Sequence, residues 1–189
     1  MVKKVTEKLL LEANGKEVGT TSSHWIYLTN LKAYNEGLLV GVSLYLPFSE
    51  EELEDAFKAI YVDGEFVDEY GESYEEYFIT DYDLPFVIGE YEFPPAITEK
   101  YSELSEYLEY PREVIKVIAE NLDSEINIIE LDRDILGSDE ERLGYALVDM
   151  GYFEIPDNLI NYINYEAIGR DYKIDVIGEF ALRYFIEIC

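Results

Sequence analysis

One cysteine and one histidine in 189 residues remove most site chemistry from this chain before any motif is sought. Cys189, the last residue, has no partner for an internal disulfide and no companions for a multi-cysteine metal site; a single thiol suits a reducing cytoplasm. His24 alone cannot build a histidine-based centre. Bases are scarce as well: 14 Lys and Arg stand against 42 Asp and Glu, a formal charge of -28, which argues against direct binding of nucleic acid or of an anionic membrane. Long apolar runs are missing. Leu9 to Leu11 is far too short for the hydrophobic region of a signal peptide, and no run approaches membrane-spanning length, so a soluble, cytoplasmic protein is expected. There is no phosphate-cradling Gly-rich loop and no Gly-x-Ser-x-Gly elbow. Neither a cofactor nor a catalytic activity is expected.

What the chain does have is acid set among aromatics. From Tyr61 to Ile97 it carries Asp63, Glu65, Asp68, Glu69, Glu72, Glu75, Glu76, Asp81, Asp83, Glu90 and Glu92, and no Lys, Arg or His. Tyr61, Phe66, Tyr70, Tyr74, Tyr77, Phe78, Tyr82, Phe86, Tyr91 and Phe93 lie between them, which a solvated acidic tail would lack. The stretch therefore reads as folded, with its charge displayed outward. Like charges held on a packed surface repel one another, so a cationic partner is the simplest reason for keeping them.

At 48% hydrophobic the chain can bury a real core, as one large domain or as two to three small modules. Residues 1–24 stand apart with a charge of +1 from four lysines and three glutamates. Asn14-Gly15 there suggests a hairpin between Val5–Ala13 and Lys16–Thr20, a loosely attached arm being the other reading. Alternation over His24–Asn30 and a Leu, Val and Tyr-rich run over Leu38–Leu46 predict strands, joined through Asn35-Glu36-Gly37. Ser49 with Glu52 is a capping box opening a helix that buries Leu53, Ala56, Phe57 and Ile60; a strand over Tyr74–Thr80 follows. Together these make a small α+β module with Asp81–Phe93 as an acidic trailing edge. Helical spacing over Thr98–Tyr110 places Glu99, Glu103, Glu106 and Glu109 in one stripe, which is either a merely solvated face or part of the same acidic display. Pro111 opens a helix with Val114, Ile115, Val117 and Ile118 inward, and Glu125–Leu136 is ambiguous between helix and strand. Ser138 with Glu141 caps the clearest helix, which carries Leu143, Ala146, Leu147 and Met150 and stops at Gly151. Pro156 opens a short helical run, and Phe180–Ile188 reads as a closing strand.

Two constellations resemble sites and are weak. Asp132, Asp134 and Gly137 match positions of a calcium loop, but Leu136 and Leu143 fall where ligands are needed, so a capping loop is the better reading. Asp157 followed by Asp171 and Lys173 has the residue types of a magnesium-dependent nuclease core, but Asp157 looks like a helix start and so acidic a surface would repel the substrate.

Three stretches carry a resemblance: Leu28–Gly41, Tyr74–Phe86 and Ile155–Asp171, the last containing Tyr165-Glu-Ala-Ile-Gly-Arg-Asp171. In that order they resemble the ArdA antirestriction proteins of mobile genetic elements, from about Trp25 to the C-terminus. The resemblance implies a noncatalytic, elongated α+β DNA mimic of several modules that occupies the DNA-binding groove of type I restriction-modification enzymes. It also implies a homodimer joined through the C-terminal module, with an antirestriction region near Ser138–Gly151. The expected division is an N-terminal extension at 1–24, an α+β module at 25–92, a mainly helical module at 93–136 and a C-terminal α+β dimerisation module at 137–189. Asp63, Glu65, Asp68, Glu69, Glu72, Glu75, Glu76, Asp81, Asp83, Glu90, Glu92, Glu99, Glu103, Glu106 and Glu109 are then the carboxylates that stand in for phosphates, and Leu143 and Leu147 are the candidate dimer contact. Charge density agrees: duplex DNA carries one charge per about 1.7 Å of axis, so 28 charges correspond to roughly 48 Å of duplex, against roughly 40 Å for a globule of this length. An acidic adaptor or chaperone for a basic protein is the competing reading, and a small metal-dependent nuclease the third.

Overall fold

Alternating apolar side chains set the first sheet. The computed structural model describes residues 3–189. β1 (Lys3–Lys4) leads into α1 (Glu7–Glu12), and the chain turns at Asn14-Gly15, with Gly15 at φ +76°, into β2 (Lys16–Val18). The expected hairpin is thus corrected. Leu10 points inward from a Leu-rich helical turn, Val5 and Ala13 are buried on either side of it, and the turn joins a helix to a strand. β3 (Trp25–Asn30) follows, burying Ile26 and Leu28 on one face. Asn30 then caps α2 (Leu31–Asn35), accepting from the Ala33 N–H at 2.9 Å while its amide donates to the Ile60 carbonyl at 2.9 Å. A five-residue helix is too short for its periodicity to register, and in the sequence it merges with the connection at Asn35-Glu36-Gly37.

β4 (Gly41–Tyr45) buries Val42 and Leu44, and α3 (Glu50–Ala59) begins with the predicted capping box: Ser49 Oγ accepts from the Glu52 N–H while the Glu52 carboxylate accepts from the Ser49 N–H at 2.8 Å. Leu53, Ala56 and Ile60 are buried, and α3 packs on β4 and β2. Full burial of a side chain such as Leu44 or Ile60 contributes about 1.5–3 kcal/mol. β5 (Phe66–Val67) pairs with β1 in parallel, and β6 (Tyr77–Asp83) closes the main sheet in the order β2-β4-β3-β6, with β2 parallel to β4 and the other pairs antiparallel. β6 starts three residues later than expected because Tyr74 is committed elsewhere: it lies buried beneath the Lys32 ammonium, 5.1 Å from its ring centre. α4 (Pro94–Glu103) ends the first of two compact units, which runs to Ser105.

The second unit runs from Glu106 to Cys189. Pro111 is the N-cap of α5 (Arg112–Ala119), whose Val114, Ile115 and Ile118 are buried as the sequence predicts. The ambiguous segment resolves as β7 (Ile126–Glu130), and α6 (Asp139–Asp149) is capped by Ser138 accepting from the Glu141 N–H. A 3-10 turn at Asp157–Tyr162 precedes α7 (Tyr165–Asp175), a helix that was not foreseen. The closing strand proves to be a hairpin, β8 (Ile177–Ala181) and β9 (Tyr184–Ile188), in a sheet ordered β7-β9-β8. Its turn uses Leu182 at φ +54°, a residue type that does not announce a left-handed position.

Ile129, Leu131, Leu143, Leu147 and Phe185 form the core of this unit. Leu143 and Leu147, assigned from sequence to a dimer contact, are 0% exposed there, so they are spent on the chain's own core and cannot serve a second copy. α6 and α7 cross with their backbones touching. A Cβ on Gly144 would meet the Tyr165 carbonyl oxygen at 1.9 Å, and one on Gly169 would meet the Glu140 carbonyl oxygen at 1.8 Å. The Tyr145 and Tyr165 rings stack at 3.6 Å beside this crossing.

One candidate carboxylate belongs to the scaffold. Asp68 is 8% exposed, accepts from the Lys32 ammonium at 2.8 Å and takes the Tyr70 and Glu72 N–H groups at 2.9 and 2.8 Å, closing the loop before β6. It is not a displayed charge. The Lys32 bond, opposed by burial and aided by the two backbone donors, holds its carboxyl down to about 2.

Two outcomes follow. Gly169→Ala and Gly144→Ala should each cost stability by about 1–3 kcal/mol through overpacking, despite alanine's better helix propensity, as read by chemical denaturation. A gain in stability for either would show that the helices do not touch there. Asp68→Asn should lower stability at pH 7. Since the folded carboxyl titrates near 2 and the unfolded one near 3.8, its contribution is complete above about pH 4 and is lost as pH falls toward 2. Melting curves of variant and wild type should therefore converge over that window; a gap unchanged at pH 2 would refute the assignment.

Candidate acidic interface

Both units are strongly acidic by themselves. Residues 1–105 carry 22 acids and seven bases, net -15; residues 106–189 carry 20 acids and seven bases, net -13. Of the fifteen candidate carboxylates, Glu65, Glu69, Glu72, Glu75, Glu76, Asp81, Glu90, Glu99, Glu103, Glu106 and Glu109 are exposed, Asp63, Asp83 and Glu92 half-buried and Asp68 buried. Folding thus leaves most of the acidic stretch at the surface, while its aromatics Tyr74, Phe78 and Phe86 turn inward.

Part of the local reason is turn chemistry. Asp63 accepts from the Glu65 N–H at 3.0 Å and Glu92 from the Gly89 N–H at 2.9 Å, so these carboxylates shape the connections that display their neighbours, while Asp81 within β6 accepts from the Tyr82 N–H at 2.9 Å. Glu65 is held below its usual range by the Lys3 ammonium 3.0 Å away. Neighbouring phenols move the other way: the Tyr70 hydroxyl is pushed up by its bond to Glu69, and that of Tyr107 by burial and by Glu106, so both remain neutral donors.

The four-glutamate stripe does not exist as one helix face. α4 ends at Glu103, a 3-10 turn covers Leu104–Tyr107, and Glu106 and Glu109 belong to the second unit. Glu99 and Glu103 remain one turn apart on α4, both exposed.

Sequence reading overlooked a denser group on α3. Glu50, Glu51, Glu54 and Asp55 are all exposed, four charges along about 7.5 Å of helix axis, a mean spacing of about 2.5 Å beside about 1.7 Å for duplex DNA. Lys58 pairs with Glu54 at 3.5 Å and Asp55 at 3.3 Å, which reduces but does not cancel the group. The signal lies in Glu50-Glu-Glu-Leu-Glu-Asp55, where the acids occupy the face opposite the apolar stripe.

The two weak constellations are used structurally. Asp132 accepts from the Asp134 N–H at 2.8 Å, and Arg133 pairs with Asp139 at 3.1 Å, as does Arg142 at 2.8 Å; this holds the loop that leads into α6, the helix that fills the expected antirestriction region Ser138–Gly151. Asp171 pairs with Arg170 at 3.0 Å, whereas Lys173 reaches Glu140 at 3.6 Å and lies 4.5 Å over the Phe180 ring. His24 sits just before β3 with its Nδ1 2.8 Å from the Tyr101 hydroxyl. Among the described residues no group of three or more His, Cys, Asp or Glu is arranged to hold a metal ion, and no helix is long and apolar enough to cross a membrane.

No curated protein matches the chain in sequence. The model of the antirestriction protein family ArdA matches residues 26–186, which is nearly everything beyond the N-terminal segment and covers most of both acidic units. The chain therefore belongs to the ArdA family of antirestriction proteins.

Proposed function

We propose that this protein inhibits type I restriction-modification enzymes in the cytoplasm as a DNA mimic, without catalysis, its surface carboxylates taking the place of phosphates in the enzyme's cationic groove. The observation that carries this reading is the double one of family membership and of net charges of -15 and -13 on the two units, with acids exposed on helices, strand and loops alike. A DNA-binding groove spreads its Lys and Arg along many phosphates, so an effective competitor must be acidic over a long track, as no compact catalytic site needs to be. The adaptor reading requires only one acidic patch and leaves the breadth of the charge without a reason.

The protein acts as a homodimer built by its second unit. Supporting this, residues 150–163 contain two acids and no base, and expose Met150, Tyr152, Phe153, Leu159, Ile160 and Tyr162, the last by 84%. In so acidic a chain a second copy approaches at least electrostatic cost where charge is sparse. These residues take the place of Leu143 and Leu147 as the proposed contact.

Competition with duplex DNA for a purified type I enzyme, followed across a salt series, is the direct test. Neutralising one of Glu75, Glu76, Asp81, Glu99 or Glu103 to its amide should weaken inhibition less than about fivefold, as one exposed ion pair is worth about 0.2–1 kcal/mol. Changing all five should weaken it by at least about fivefold, since five pairs at about 0.2 kcal/mol sum to about 1 kcal/mol, and flatten its salt dependence. Loss of all inhibition from one of these single changes would overturn mimicry in favour of a discrete site. In sedimentation, Ile160→Glu with Tyr162→Glu should convert the dimer to a monomer at micromolar concentration; an unaltered dimer would place the contact elsewhere.

A further inference from the structure

The first unit has an open hollow of about 450 Å³ between α3 and the start of α4. Its floor and walls are Phe48, Leu53, Phe57, Phe93 and Pro95, and Glu50 and Glu54 stand on its rim. The walls are fixed relative to each other, because the Phe48 N–H donates to Thr98 Oγ1 at 3.1 Å, tying the approach to α3 to the first turns of α4. Phe93 is 64% exposed although it closes this apolar hollow.

Elsewhere the chain shows what such a combination holds. Lys3 is gripped by Glu65 at 3.0 Å and by the Phe66 ring at 5.2 Å; Lys32 by Asp68 at 2.8 Å and the Tyr74 ring at 5.1 Å. Lys173 lies between Glu140 at 3.6 Å and the Phe180 ring at 4.5 Å, and Arg183 between Glu130 at 3.1 Å and the Tyr184 ring at 5.5 Å. Four times, the charged head of a long basic side chain is shared between a carboxylate and an aromatic face, its Nζ or Cζ lying 4.5–5.5 Å from the ring centre. Each part suits the other, since a long basic side chain is apolar along its stem and charged only at its tip.

We infer that the hollow between Phe57 and Phe93 is a docking site for a cationic side chain of the partner protein, its stem against the aromatic walls and its head on Glu50 and on Glu54, whose carboxylate it shares with Lys58. Arginine suits it best, because a planar guanidinium stacks on a ring while bonding carboxylate. The assignment deepens the proposed function and rests on it for the partner's identity: it adds to phosphate replacement a contact that phosphate cannot make, an apolar wall beside the anion. Charge alone would bind any basic groove of sufficient length; an aromatic hollow at a fixed place selects grooves with a long cation at the matching position.

The test separates wall from rim. Phe93→Ala and Phe93→Tyr, with circular dichroism as the folding control, and the pair Glu50→Gln with Glu54→Gln are titrated with a short oligo-arginine peptide and used in competition against the type I enzyme over a salt series. Phe93→Ala should weaken both interactions about two- to fivefold with the salt slope unchanged, Phe93→Tyr should restore them, and the rim pair should reduce the slope. If Phe93→Ala binds peptide and enzyme as the wild type does, the hollow is not a docking site even though inhibition stands. If the wild type fails to displace DNA from the enzyme while Phe93→Ala still weakens peptide binding, the cation site stands and the choice of enzyme falls.

Discussion

Mutual repulsion among carboxylates is the constraint around which this chain is built. With a net charge of -28 the folded state pays for its compactness in Coulomb energy, and the remaining interactions are arranged to offset it. Apolar burial does most of this, through Ile26, Leu28, Val42, Leu44 and Ile60 in one unit and the five-residue cluster around Phe185 in the other. Bases contribute where they are seated. Lys32, 22% exposed at its side chain, satisfies Asp68 and Glu72 at once and covers Tyr74, so a single cation organises the loop that leads into β6. Surface pairs such as Lys8 with Glu12 add little, being exposed and screened.

This explains which parts of the fold could be read in advance. Capping boxes and apolar stripes are local, and they placed α3, α5 and α6 to within a few residues. What could not be read depended on partners distant in sequence. The Leu-rich run near the N-terminus is as apolar as a strand, and only the seating of Leu10 in the core makes it a helix. The β8–β9 turn relies on a leucine at positive φ, held because the hairpin packs on α5 and pairs with β7, not because its sequence favours a turn. Tyr165-Glu-Ala-Ile-Gly-Arg-Asp171 was recognisable as a family run before its reason was visible: Gly169 is the point where two helix backbones meet.

The candidate surface was legible as a composition and less so as a set of residues. Density of acid between Tyr61 and Ile97 points to an exposed carboxylate field, and seven of the eleven carboxylates in that stretch are exposed. Asp68 was misassigned because a sequence does not distinguish a carboxylate that caps a loop from one that faces solvent. Its own neighbours, Tyr70 and Gly71, mark a turn, and the decisive partner, Lys32, lies 36 residues away. The α3 acids were missed for the opposite reason, since attention to a helix's buried stripe discards its other face.

The N-terminal segment shows how the two requirements, charge and fold, meet. It lies outside the family match, which begins at residue 26, yet β2 pairs along β4 at the edge of the main sheet, and Val5, Leu10 and Ala13 are buried. Without it β4 would present Gly41–Tyr45 as an open, largely apolar edge, the kind of strand that pairs with other chains. Its lysines are seated against the acidic region: Lys3 on Glu65, Lys4 on the Glu69 carbonyl, and Lys16 on the Ala59 carbonyl and the Tyr61 ring. The segment therefore closes a sheet edge and, with a charge of +1 in a chain of -28, lowers repulsion where the acids are densest. It engages Glu65 and leaves Glu75, Glu76 and Asp81 exposed.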